Sequence, residues 1–373
     1  MTTIHGQTAP GFAAVREAFE STFADGYEHG GAVAVMLDGE PVVDLWGGHA
    51  DAAKTRPWQR DTLVNVWSVT KGVVAMAVAL LVQRGKLAYD MPVAQVWPEF
   101  AANGKGGITL GDLLSHQAGL NGFVTPMDEA GLAAWTPAVE ALAAMAPLWP
   151  PRSHCIYHAL TYGHLAGEVI RRADGRMPGR FVADEIAGPL GADFFIGLPE
   201  AQDHRVAEMI EGPGASGWID AVLESPFPHS CRDPRPDALA PNRRAWRAAE
   251  IPGGNGQGHA RGLAAIYGAA VQSAAPLLSP QTLQAATALR FRGRDESFDM
   301  PTVFAAGFRL EDEGFGQGVA NRAFGHGGWG GSIAFGDPVR RLGFAYVTNR
   351  MLGFDDRLDP RRERLVNAVY AAL

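Results

Sequence analysis

The chain has 373 residues, 47% of them hydrophobic, 9% aromatic and 19% charged, with a formal net charge of −8. This composition excludes a disordered or fibrous protein, and the length fits one large or two interlocked globular domains. The acidic balance argues against nucleic acid as a partner, because phosphate binding needs a basic face.

The first residues, "MTTIHGQTAPGFAAV", carry no basic start followed by an apolar run. No stretch approaches the ~20 apolar residues of a membrane helix, so a cytoplasmic protein without membrane contact is expected. A helix is predicted from Gly11 to about Tyr27 on its apolar spacing. "GGAVAVMLDGEPVVDLWGGHA" reads as two strands around the Asp38-Gly39 turn. Residues 68–84 form a long helix, apolar on most faces and therefore central. "ITLGDLLSHQAGL" reads as a helix capped near Thr109 and stopped by Gly119. Helices are also predicted over 155–172 and 178–188. From 200 to 254 the chain is rich in Pro, Gly and Arg, which suggests loops and short helices. "GHARGLAAIYGAAVQ" is helical again. "GSIAFGDPVRRLGFAYVTN" gives two strands joined at Asp337-Pro338, and "PRRERLVNAVYAAL" closes the chain as a helix. Strands at both ends and helices between them predict an antiparallel sheet of N- and C-terminal parts, flanked by helices, with a helical insertion.

Within the 68–84 helix stands "SVTK". Ser68 and Lys71 lie at i and i+3, one turn apart on one face. Ser68 falls at the helix start, beside unpaired backbone N–H groups. Lys71 lies among Val69, Val73, Val74 and Met76, where loss of solvation depresses an amine's pKa. A lysine so placed can take the proton of a serine hydroxyl and activate it without histidine. The bland alternative is an ordinary N-cap beside a solvated lysine. With eleven serines and only four lysines (54, 71, 86 and 105), this is the one S-x-x-K in the chain.

Such a nucleophile needs a second proton carrier and an oxyanion hole. "CIYHALTYGHLAG" offers Tyr157 and Tyr162, and a tyrosine near positive charge can act as a phenolate-like base. Either is as readily a core aromatic. "FGHGGWGGS", Phe324 to Ser332, has five glycines in nine residues before a strand, a sign of close backbone approach, for instance to a substrate.

In chain order, S-V-T-K, Y-H-A and H-G-G resemble the serine β-lactamase and penicillin-binding-protein family. The likeness is to its class C-like branch, closest in pattern to family VIII carboxylesterases. "VWSVTKGV", "ITLGDLLSHQAGL", "YHALTYGHLAGEVI", "NGQGHARGLAAIYGAAV" and "FGHGGWGGSIAFGDP" carry the resemblance over about 50–350. It implies an α/β fold in which residues 1–65 and 255–373 form the α/β domain and 66–254 a mainly helical one, with the active site at their interface. It implies Ser68 as the acylated nucleophile, Lys71 as its partner and Tyr157 as the tyrosine of the Y-x-N motif. Tyr162 then returns to the core. The N–H groups of Ser68 and Trp329 match the oxyanion-hole donors, and His326, Gly327 and Gly328 match the K-T-G segment that faces the substrate. No metal or other cofactor is implied.

Two departures from the family pattern stand out. The K-T-G lysine is replaced by His326, and the Y-x-N asparagine by Ala159. An imidazole of ordinary pKa is mostly neutral at pH 7 and attracts anions weakly. Arg350, in "VTNRM", is a candidate to supply the missing charge. The departures favour a small neutral ester over an anionic β-lactam or a D-Ala-D-Ala peptide, which remain the alternatives, with a non-catalytic ligand sensor behind them. His154, His158 and His164 have no H-E-x-x-H context, so zinc is not expected. "GGNGQGHARG" does not complete a dinucleotide fingerprint. The two cysteines, Cys155 and Cys231, are expected as free thiols.

Overall fold

A computed structural model describes residues 2–310, 322–353 and 359–373. Three N-terminal strands, β1 (Ile4–Thr8), β2 (Gly30–Leu37) and β3 (Glu40–Gly48), join six C-terminal ones in a nine-stranded sheet. The six are β4 (Phe291–Asp295), β5 (Met300–Phe304), β6 (Arg309–Leu310), β7 (Phe324–Gly327), β8 (Ile333–Asp337) and β9 (Leu342–Thr348). The order is β1-β3-β2-β9-β8-β7-β6-β5-β4. The two ends of the chain meet where β2 runs antiparallel to β9, Val33 opposite Tyr346 and Val35 opposite Phe344.

The predicted hairpins are present. Asp38 and Gly39 both take positive φ, 48° and 87°, the left-handed pair that suits a two-residue turn. Alternation along β2 sorts its side chains to two faces. Val33 and Val35 pack with Phe19 of helix α1 (Ala13–Ala24) and with Leu365 near the C-terminus. Ala32 and Ala34 belong to the larger core on the other face, which contains helix α2 (Val69–Gln83). Residues 69–81 of α2 are all buried. Each fully buried Val or Leu there contributes about 1.5–3 kcal/mol, so the helix is a stable platform for whatever it carries. Small residues let it pack closely: a Cβ at Gly72 would lie 2.0 Å from the Tyr267 hydroxyl.

Several predicted helices are shorter than the sequence suggested. The helix begun at Thr109 has its capping box with Asp112 but spans only Leu110–Leu114 (α3), because His116 turns to φ 64° and sends its ring into the core. The helix predicted over 155–172 is α4 (Thr161–Asp174). Residues before it stay irregular because tertiary partners take their polar groups: Ile156 N–H donates to His116 O, Tyr157 N–H to Asp295, and Ala159 O accepts from Lys71. The helix predicted over 178–188 is present and unbroken, α-helical over Pro178–Val182 and continuing as a π-helical turn over Ala183–Ala187. Helices α5 (Ala260–Val271) and α6 (Pro360–Ala371) fall where the sequence placed them. No helix among the described residues is long and apolar enough to cross a membrane.

Candidate active site

Ser68 is the residue on which α2 begins, and its side chain makes no capping hydrogen bond. The preceding Trp67 takes φ 49°, an uncommon conformation for a bulky residue that turns the chain sharply into the helix. The turn is held from two sides. Val66 N–H donates to Gly256 O at 2.9 Å, and Gly256 N–H donates to Thr70 Oγ1 at 2.9 Å.

One helical turn on, Lys71 is fully buried. Its Nζ lies 2.9 Å from Ser68 Oγ, 2.7 Å from Ala159 O and 2.6 Å from Gly253 O. Among the described residues no carboxylate pairs with it. Burial therefore pushes the Lys71 pKa well below the ordinary lysine value of 10.5. A neutral amine has two N–H groups and one lone pair. The two carbonyls accept both N–H groups, and the lone pair is left for the Ser68 hydroxyl proton. Close backbone packing brings the second carbonyl into place: a Cβ on Gly163 would lie 2.0 Å from Gly253 N, so only glycine lets α4 approach the 252–253 segment.

Tyr157 stands beside this pair. Its ring centroid is 4.7 Å from Lys71 Nζ, and its hydroxyl is within hydrogen-bonding reach of Ser68. The sequence reading allowed a phenolate stabilised by cations. Burial overrides it: desolvation raises the Tyr157 pKa far above its ordinary value, so the free site holds a phenol. The hydroxyl also lies 3.4 Å from His326 Nε2. His326 Nδ1 is 2.7 Å from Gly327 O, which can only accept, so Nδ1 carries the hydrogen and Nε2 is the acceptor. Burial holds the His326 pKa well below 6.5. The imidazole is neutral, as its sequence context led us to expect. Tyr162 is buried in the core with His116 against it.

The oxyanion-hole candidates meet across a glycine. A Cβ at Gly328 would lie 2.3 Å from Val66 O, so the segment leaving β7 lies directly against the segment entering α2. Neither Ser68 N–H nor Trp329 N–H donates to a main-chain carbonyl among the described residues. Gly325 and Gly328 thus allow close approach to the protein's own backbone, and Gly327 lines the cavity on Ser68.

A cavity of about 240 Å³ opens on Ser68. Its walls are strongly aromatic: Trp67, Trp218, Phe298, Phe304 and Trp329 join Tyr157. Trp218 stacks on Phe298 at 5.4 Å and meets Trp329 edge-on at 5.3 Å. Ala159 and Leu160 add an apolar patch where the Y-x-N asparagine would stand. Arg350 does not line this cavity; its guanidinium donates to Gly26 O, and it cannot replace the K-T-G lysine. The cation in the wall is Arg309, which the sequence reading missed. It also missed Asp295, whose carboxylate accepts from Tyr157 N–H at 2.8 Å and from Ser297 N–H at 2.9 Å. No short motif marks either residue, since Asp295 is 138 positions from Tyr157. The three histidines considered for zinc do not converge: His154 meets Glu296, His158 meets Ile156 O, and His164 meets Leu132 O.

A serine with a buried amine at its hydroxyl, a phenol beside both and, among the described residues, two nearby N–H groups without a main-chain partner is an arrangement suited to acyl transfer at serine. On this sheet-and-helix scaffold the chain belongs to the beta-lactamase family, whose model matches residues 15–368. It is 36% identical over 365 residues to the esterase/beta-lactamase LipL of Mycobacterium tuberculosis, covering 94% of this chain and 83% of that protein. Its fold is similar to the crystal structure of a family VIII carboxylesterase, with TM-score 0.92, 41% identity and both chains covered in full. A penicillin-binding-protein homologue from Caulobacter crescentus is also similar, with TM-score 0.89, 43% identity and both chains again fully covered.

Proposed function

We propose that the protein is a serine carboxylesterase that hydrolyses small, uncharged esters through an acyl-Ser68 intermediate. The reading rests above all on the 2.9 Å contact between Lys71 Nζ and Ser68 Oγ at the floor of an aromatic cavity. Lys71 takes the Ser68 proton as Oγ attacks the ester carbonyl. The N–H groups of Ser68 and Trp329 receive the developing oxyanion. Tyr157 protonates the departing alkoxide and recovers its proton from the Lys71 ammonium. A water molecule then gives its proton to Lys71 and attacks the acyl carbonyl, and the Lys71 ammonium returns that proton to Ser68 Oγ as it leaves. Each C–O bond made or broken is accompanied by a proton transfer between adjacent groups, so neither metal nor organic cofactor is called on.

On this reading the chain divides into 1–65 with 255–373, and 66–254, with the site at the junction. The two buried free thiols, Cys155 and Cys231, are compatible with a reducing compartment such as the cytoplasm.

At its own position His326 favours neutral esters over β-lactams; the cation Arg309 stands elsewhere in the wall. A neutral imidazole gives a lactam carboxylate no fixed charge. His326→Lys would place an ammonium there, and a charge-assisted hydrogen bond contributes about 1.5–3 kcal/mol. The nitrocefin-to-ester ratio of kcat/KM is expected to rise roughly tenfold or more in this variant. The check is kcat/KM on p-nitrophenyl esters, nitrocefin and a D-Ala-D-Ala peptide for wild type and variant. A wild type faster on nitrocefin or on the peptide than on any ester would overturn the esterase reading.

A further inference from the structure

The loop that carries the Trp329 N–H is held by two adjacent arginines of α6. Helix α6 is capped by Asp359, whose side chain accepts from Arg361 N–H. This starts the helix so that Arg361 and Arg362 both reach the 328–332 loop. Arg361 is fully buried and paired with Asp359 at 2.7 Å. Its Nη2 donates to Gly330 O at 2.8 Å, and its Nη1 to Arg350 O at 2.9 Å. Arg362 donates through Nε to Gly331 O and through Nη2 to Gly328 O at 3.0 Å and Ser332 O at 3.2 Å. Four carbonyls within five residues are therefore held by two guanidiniums.

The glycines make this possible. Gly330 and Gly331 have φ 85° and 136°, where other residues are strained. A Cβ on Gly331 would lie 2.4 Å from Arg361 Nη2, and one on Gly327 would lie 3.2 Å from Arg362 Nη1.

The Gly328 carbonyl and the Trp329 N–H belong to one peptide unit. In a trans peptide the C=O and N–H point in opposite directions. Holding Gly328 O on Arg362 therefore turns the Trp329 N–H away from the arginine and fixes its direction. A guanidinium on the carbonyl oxygen also polarises the same peptide and strengthens its N–H as a donor.

We propose that Arg362, supported by Arg361, is the positioning residue that aims the Trp329 N–H at the oxyanion. The inference rests on the reading of Trp329 as an oxyanion donor. Arg362 touches no reacting atom, and its effect falls on the transition state and little on ground-state binding.

The test compares an oxoester with the matching thionoester, each rate normalised to its alkaline hydrolysis. An oxyanion hole built for oxygen discriminates against the larger, weaker acceptor sulfur. Wild type is expected to prefer the oxoester strongly. In Arg362→Met, kcat on the oxoester should fall by roughly tenfold to a hundredfold, since losing one oxyanion donor outright costs about 10²–10³. KM should change little, and the oxo-to-thiono ratio should shrink in parallel. Arg362→Lys reaches fewer carbonyls and should lie between the two, which keeps the test available if the methionine variant fails to fold. Arg364→Met, which loses only contacts to Asp25 and Ser21, should keep the wild-type ratio. A folded Arg362 variant with wild-type kcat and ratio would overturn the positioning role alone. A wild-type ratio near one would overturn the oxyanion reading of Trp329 and the inference with it.

Discussion

Ser68→Ala is expected to lower kcat on an activated ester by at least about a thousandfold. Among the described residues, Ser68 is the serine whose hydroxyl meets a lysine amine, at 2.9 Å. Burial also pushes that amine's pKa well below 10.5, toward the form that can accept a proton. Folding should be little affected, because the Ser68 side chain caps no helix. A fluorophosphonate should label the wild type once, and a thermal melt should show that the variant is still folded. A folded, active variant would remove Ser68 from the mechanism.

The second large effect is expected at the proton carriers. Lys71→Ala and Tyr157→Phe should each lower kcat by roughly 10²–10⁴ while KM moves far less. The double variant should be little worse than the poorer single one, because groups that pass one proton between them act as a unit. The pH dependence has a definite sign. Lys71 works as the neutral amine, and burial places its pKa well below 10.5. Activity should therefore rise with pH as Lys71 deprotonates and fall as pH drops through its pKa. Lys71→Ala should lose this limb. Losses that multiply in the double variant would show that the two residues act separately.

Local pattern carried the parts of this site that lie close together in sequence. Ser68 and Lys71 are three positions apart on one apolar helix, so periodicity alone puts them on one face. The two hairpins were legible for a similar reason: Asp38-Gly39 and Asp337-Pro338 interrupt clear runs of strand formers. Tyr157 was found by its motif, but its surroundings were misjudged. A helix drawn through 155–160 ignores that the carbonyls and N–H groups of this segment bond to Lys71, His116 and Asp295. Those partners are remote in sequence, and propensity cannot see them. The edge strands β1 and β4 were missed because neither shows alternation: "IHGQT" and "FRGRD" are largely exposed. With β4 and β5 unseen, Asp295, Phe298, Met300, Thr302 and Phe304 had no place in the cavity wall. That the K-T-G lysine is missing was legible from the sequence alone, since no lysine follows Lys105. The proposed substitute, Arg350, was not testable without knowing that its guanidinium turns to Gly26.

The central claim is that an ester transfers its acyl group to Ser68. The direct measurement is peptide mass mapping after rapid acid quench of the enzyme with excess p-nitrophenyl butyrate, in wild type and in Ser68→Ala. The mass of one butyryl group is expected on the peptide containing Ser68 in wild type and nowhere in Ser68→Ala. An adduct on any other residue, or steady turnover by Ser68→Ala at the wild-type rate, would contradict it.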